Sequence, residues 1–127
     1  MIDVRSLDSA EAFVTADGSA IRELCGIPTG GTTLQSLAEA TLAPGRATAR
    51  HYHAESEEVY FVLEGEADLE IDGDVRRVRA GDAIPIPPGS RHEVTNVGTL
   101  PLRFLCTCAP PYRHEDTFFD RGGIIEP

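Results

Sequence analysis

Turn residues punctuate this chain so densely that long helices have no room between them. After Asp17-Gly18 the breaks fall at Gly30-Gly31, Pro44-Gly45, Glu64-Gly65, Asp72-Gly73, Gly81-Asp82, Pro88-Gly89 and Gly98. The text between them is short and β-like: Ala20 to Cys25, Thr33 to Ala43, Ala47 to His53, Glu58 to Leu63, Ala67 to Ile71, Val75 to Arg79, Ala83 to Pro87, His92 to Val97 and Leu102 to Cys108. Many short strands with frequent turns predict an all-β sandwich or barrel. Asp72-Gly73 is the clearest local signal, because a type I′ hairpin turn needs positive φ at both central residues. On the strand entering it, Ala67, Leu69 and Ile71 share one face while Asp68 and Glu70 point the other way. Only the first 15 residues suggest a helix, with Asp8 or Ser9 capping a short turn through Glu11, Ala12, Phe13 and Val14.

A length of 127 residues fits one domain, 1–127, large enough for a real core. The net charge of −10 repels phosphate backbones and anionic headgroups, so nucleic acid is not expected as a partner. No run approaches the roughly 20 apolar residues of a membrane span. Met1 to Ala20 carries four acidic residues and no apolar block, unlike a signal peptide, so a cytoplasmic location is expected. Three cysteines, Cys25, Cys106 and Cys108, do not make a disulfide framework.

Chemistry concentrates in two stretches. In the first, Gly45 to His53 runs into a strand, a polar loop follows, and Glu58 opens the next strand before Gly65. Residues i and i+2 share a strand face, so His51 and His53 project together while Tyr52 points away. Glu58, returning on the neighbouring strand, can face the same pair. Two imidazoles and a carboxylate form a partial chelate suited to iron, manganese, nickel, copper or zinc. The second stretch, Gly81 to Asn96, contributes His92.

Gly45, His51, His53, Glu58 and Gly65 match G-x5-H-x-H-x4-E-x6-G, and Gly81, Pro87, Gly89, His92 and Asn96 match G-x5-P-x-G-x2-H-x3-N. In both order and spacing the chain resembles the cupins. The resemblance implies a double-stranded β-helix, or jelly-roll, barrel with a short N-terminal extension. It implies a metal site on His51, His53, Glu58 and His92. Glu58 is preferred over Glu57 by its spacing to Gly65, and strand parity agrees, placing Tyr60 and Val62 inward with it. The barrel motifs occupy 45–65 and 81–96, leaving 1–32 and 109–127 as candidate dimer or lid segments, since small cupins commonly form homodimers.

Four protein ligands leave a coordination position open, as in catalytic rather than structural sites. The expected cofactor is one divalent transition metal ion, with Fe or Mn favoured over Zn, Ni or Cu. A metalloenzyme acting on a small molecule is therefore expected, with dioxygenase chemistry first and isomerase or lyase chemistry behind it. The alternative is a non-catalytic module that captures a small ligand through the metal. Tyr60 and His114 are the candidate catalytic residues beyond the ligands. His114 otherwise reads as an exposed tail residue after Pro110-Pro111. Cys106 and Cys108 share a face with Phe104 and read first as core packing, second as cavity lining. Glu55, Glu57, Glu64 and Glu66 read as a solvated face, and Arg76, Arg77 and Arg79 as a charged strand edge. Gly45 and Gly89 are expected to turn strand corners at positive φ, and Pro87-Pro88 to lie at a barrel rim or edge.

Overall fold

The structure, a computed structural model, describes residues 1–121 and 124–126. Twelve strands follow in chain order: β1 (Phe13–Val14), β2 (Ala20–Cys25), β3 (Ser36–Leu42), β4 (His51–His53), β5 (Glu57–Glu64), β6 (Glu66–Ile71), β7 (Asp74–Arg79), β8 (Ala83–Ile86), β9 (His92–Asn96), β10 (Leu102–Ala109), β11 (Thr117–Arg121) and β12 (Ile124–Glu126). They form two antiparallel six-stranded sheets, ordered β1-β2-β3-β10-β5-β8 and β12-β11-β4-β9-β6-β7. The jelly-roll expectation holds. Among the described residues no helix is long and apolar enough to cross a membrane.

Several local expectations hold with it. Ile71 pairs with Asp74 across a two-residue turn, where Asp72 has φ 48° and Gly73 φ 90°. Gly45 and Gly89 adopt φ 78° and 81°. The arginine-bearing β7 is an edge strand, and so is β8, where Pro85 sits without breaking an interior ladder. Pro87-Pro88 follows directly after this edge strand and is exposed.

The amino-terminal helix is a correction. Leu7–Ser9 makes one 3-10 turn, and Phe13–Val14 is a strand paired with Ala20 and Ile21. A helix this short has no stability of its own, and pairing on β2 satisfies the backbone instead. The expected run from Ala47 to His53 also narrows to His51–His53. Its earlier amides bond outside a single ladder: Thr48 N–H donates to Val94 O, whereas Ala49 N–H donates to Asp17 O. The segments 1–32 and 109–127 are partly woven into this chain's own sheets, through β1, β2 and β11; Gly122, Gly123 and Pro127 lie outside the described residues.

The core is graded along its strands. Leu42, Val62 and Leu102, on β3, β5 and β10, pack with Ala67, Leu69 and Val94 from the opposite sheet into a buried apolar cluster. Further along the same inward faces stand Ser36 and Ala38, Glu58, and Cys106 and Cys108, which line a cavity instead. Ala40, Tyr60 and Phe104 belong to both and mark the boundary.

Candidate metal centre

Both sheets converge on His51, His53, Glu58 and His92. His51 lies directly opposite His92 in the β4–β9 ladder, and their rings are 4.3 Å apart. Two residues on, His53 shares the inward face. Glu58 comes from the other sheet, on β5. All four are buried, and each offers one donor atom within 4.8 Å of the others. The polar loop between the first histidines and Glu58 is held by the buried Asp116 carboxylate, whose two oxygens accept the Glu55 and Ser56 amides. Glu58 is the inward carboxylate, and Glu57 is exposed, as strand parity requires.

Each imidazole is oriented through its other nitrogen. His51 Nδ1 lies 2.8 Å from Ala49 O, and His92 Nδ1 lies 2.9 Å from Ser90 O. Carbonyl oxygens only accept, so both Nδ1 atoms carry the proton. His53 Nδ1 is 3.1 Å from Thr117 Oγ1, whose own hydrogen is donated to Arg113 O. All three Nε2 atoms are then left as lone pairs in the neutral rings, the state a metal ligand needs.

That arrangement leaves an electrostatic conflict for a positive charge to resolve. Glu58 Oε1 lies 3.2 Å from His92 Nε2 and 3.3 Å from His53 Nε2. Glu58 Oε1 and His92 Nε2 are nevertheless buried without an aligned hydrogen-bond partner. Two lone-pair acceptors this close require a proton or a cation between them. Burial is the largest influence on Glu58 and opposes its charge, but the neighbouring His53 and His92 outweigh it and hold the carboxyl below its ordinary range. Burial pushes His51 down to about 4, and the neighbouring His92 adds to the effect. Burial also works against charge on His92, yet the Glu58 carboxylate raises it overall. The donor set and its orphaned atoms fit one divalent transition ion, and chemically they suit several metals.

His51, His53 and Glu58 line a cavity of about 410 Å³, and His92 is fully buried beside them. Much of the rest is apolar, including Phe13, Ile21, Ile27, Ala38, Phe104 and Phe119. Tyr60 faces inward as expected, with its ring 5.8 Å from that of His92. Burial, reinforced by Glu58, raises its hydroxyl well above the ordinary phenol range, so it keeps its proton. His114 is exposed on the 3-10 turn His114–Asp116; it lines the cavity but does not join the four-residue cluster.

Cys106 packs against the core and also lines the cavity, so the two readings of that strand face merge. Cys108 goes further: its thiol donates to Glu58 Oε2 at 3.4 Å. Burial raises both thiols, and Glu58 adds to it. Thr117, Asp116 and Asp17 escaped sequence reasoning. Thr117 and Asp116 act through partners about sixty positions away, and no local spacing encodes that.

Comparison with known proteins agrees with this fold. The Cupin domain family matches residues 38–108. An uncharacterized protein of Methanocaldococcus jannaschii is 44% identical over 87% of this chain and 88% of its own length. The polyketide synthase CurC of Streptomyces cyaneus is 33% identical over 73% of this chain, a match spanning only 60% of that protein. Among solved structures, the polyketide cyclase RemF from Streptomyces resistomycificus superposes with a TM-score of 0.76 at 25% identity, covering 91% of this chain and 89% of that one.

Proposed function

Because this chain belongs to the cupin family, we propose that it is a metal-dependent enzyme acting on a small, largely apolar molecule. One observation carries the proposal. Three imidazole lone pairs and a carboxylate are buried together, two of their atoms lack an aligned hydrogen-bond partner, and three of the four residues, His51, His53 and Glu58, line a cavity. His51, His53, Glu58 and His92 would hold the ion. When bound, it would supply Lewis-acid polarisation of a substrate oxygen.

The remaining roles fall to the cavity wall. A volume of about 410 Å³ suits a ligand of one to a few rings, and its apolar lining favours expelling water around it. Tyr60, protonated and inward, is the candidate proton donor in this reading. His114, on the rim, meets a substrate as it enters.

Non-oxidative ring chemistry on a polyketide-like substrate is the leading reaction class. The names of CurC and RemF favour it, and a pairing of Lewis acid with proton donor suits it. Dioxygenase chemistry is the second reading, favoured by an imidazole–carboxylate donor set that also suits iron.

The test is metal analysis of purified protein, followed by turnover assays with and without dioxygen on hydroxylated aromatics and poly-β-ketone mimics. The expected result is about one ion per chain and oxygen-independent turnover that His51→Ala abolishes. Oxygen consumption coupled to turnover would select the second reading. Metal-dependent binding with no turnover would leave a binding module, and a chain that retains no transition metal would end the proposal.

A further inference from the structure

The amino-terminal extension does more than add two strands. Its hairpin, β1 and β2, ends in a tight turn where Thr15 N–H donates to Ser19 O and Gly18 N–H to Thr15 O. The tip is tied to the metal strand's approach, since Asp17 O accepts the Ala49 amide two residues before His51. This places Asp17 on the wall of the same cavity that His51 and His53 line.

Asp17 is held asymmetrically. Thr15 Oγ1 at 2.5 Å, Ser19 N at 2.9 Å and Ser19 Oγ at 2.7 Å all donate to one oxygen, Oδ1. Ser19 is fully buried beneath it. Among the described residues Oδ2 receives no hydrogen bond, although a carboxylate oxygen in a mostly apolar cavity strongly prefers one. Three donors fix the carboxylate's orientation and leave one acceptor available to an occupant.

We propose that Asp17 is a substrate-recognition residue whose Oδ2 accepts a hydrogen bond from a hydroxyl on the occupant of the cavity. The substrate class is thereby narrowed to neutral, hydroxyl-bearing ring compounds. A carboxylate occupant would meet like charge from Asp17. This deepens the small-molecule reading above but does not depend on the metal, because Asp17 lies outside the four-residue cluster.

The fixed geometry makes Asp17→Asn informative. The Oδ1 position is held by three donors, so the amide oxygen must take it, and the amide nitrogen is turned into the cavity. The variant therefore replaces an acceptor with a donor while keeping the turn.

Two probes of nearly equal shape, 2-naphthol and 2-methoxynaphthalene, differ in whether they can donate. Binding of each is measured by fluorescence titration to wild type, Asp17→Asn and Asp17→Ala, in metal-loaded and metal-stripped protein. Wild type is expected to prefer the naphthol by about tenfold or more, the usual advantage of a hydrogen bond to a charged acceptor. Asp17→Ala should bring the ratio near one, and Asp17→Asn should bring it to one or invert it, with both effects surviving removal of metal. Each variant's thermal melt shows whether it is folded, and the alanine variant decides the matter if the asparagine variant is not. An unchanged ratio in a folded variant overturns the proposal, as does failure of wild type to bind either probe. A preference that vanishes on stripping the metal but ignores Asp17 overturns it too, while leaving the metalloenzyme reading intact.

Discussion

On β5 the inward face carries Val62 at one end and Glu58 at the other, and β3 and β10 repeat the change, from Leu42 to Ser36 and from Leu102 to Cys108. These strands thus build a dry apolar plug and a polar cavity within a few residues of each other. Interdigitated side chains with no polar atoms to satisfy hold the plug together. The cavity end does the opposite: it buries three imidazoles and a carboxylate close enough to conflict unless a positive charge joins them. The fold can carry that cost because the plug is separate from it. Stability and site chemistry should therefore be separable by mutation along a single strand.

The sharpest test of the plug is Leu102→Ala. Leu102 is 1% exposed and packs in the apolar cluster. Its truncation should cost about 3 kcal/mol, within the ~2–5 kcal/mol range for buried leucines. Urea unfolding measures the loss, and metal affinity measured by competition with a chelator should stay unchanged. A parallel loss of metal affinity would show that the two ends are one cooperative unit.

Next in size is the acid response of the cavity end in metal-stripped protein. His51 is pushed down to about 4, so between the ordinary histidine value of 6.5 and 4 the unfolded chain binds a proton that the folded one refuses. Stability must fall as pH drops through that window, by at most about 3 kcal/mol. His92 has the opposite sign: its raised value adds stability that is present below 6.5 and lost as pH rises through the folded value. Glu58, depressed by its histidine neighbours, adds a further loss only below the usual carboxylate range. Urea unfolding between pH 4 and 7 should show an acid limb that His51→Gln flattens and Leu102→Ala leaves in place. An identical limb in His51→Gln would mean that the burial of this ring does not govern the response.

What the sequence revealed and what it hid divide along the same line. The His51, His53 and Glu58 set was legible because i,i+2 parity and a short loop are local rules, and Asp72-Gly73 was legible because turn chemistry is local too. The side chains that orient those ligands were not. Thr117 orients His53 from 64 positions away, and β11, which carries it, follows a Pro-Pro segment that reads as an extended tail. Asp17-Gly18 looked like the boundary between an amino-terminal turn and the barrel; the structure makes it the tip of a hairpin docked beside His51. Phe13–Val14 had no pattern of its own to declare it a strand, and only pairing with Ala20 and Ile21 does so.

The smallest expected effect falls where the two regions meet on β10. Cys108 is buried like a core residue, yet its thiol reaches Glu58 Oε2. If it belongs to the site, Cys108→Ala should weaken metal binding by about tenfold or less, the low end for partners that orient a ligand, because a thiol is a weak donor. Cys108→Ser should restore most of that loss, since a hydroxyl can donate to the same oxygen. If it belongs to the plug, the alanine variant should instead lose about 1 kcal/mol of stability with metal affinity intact, and serine should be worse than alanine for burying a hydroxyl among apolar neighbours. The order of serine and alanine thus reads out which region owns the residue. The geometry predicts serine above alanine in metal affinity, because Glu58 Oε1 faces the histidines while Oε2 is the oxygen that Cys108 holds.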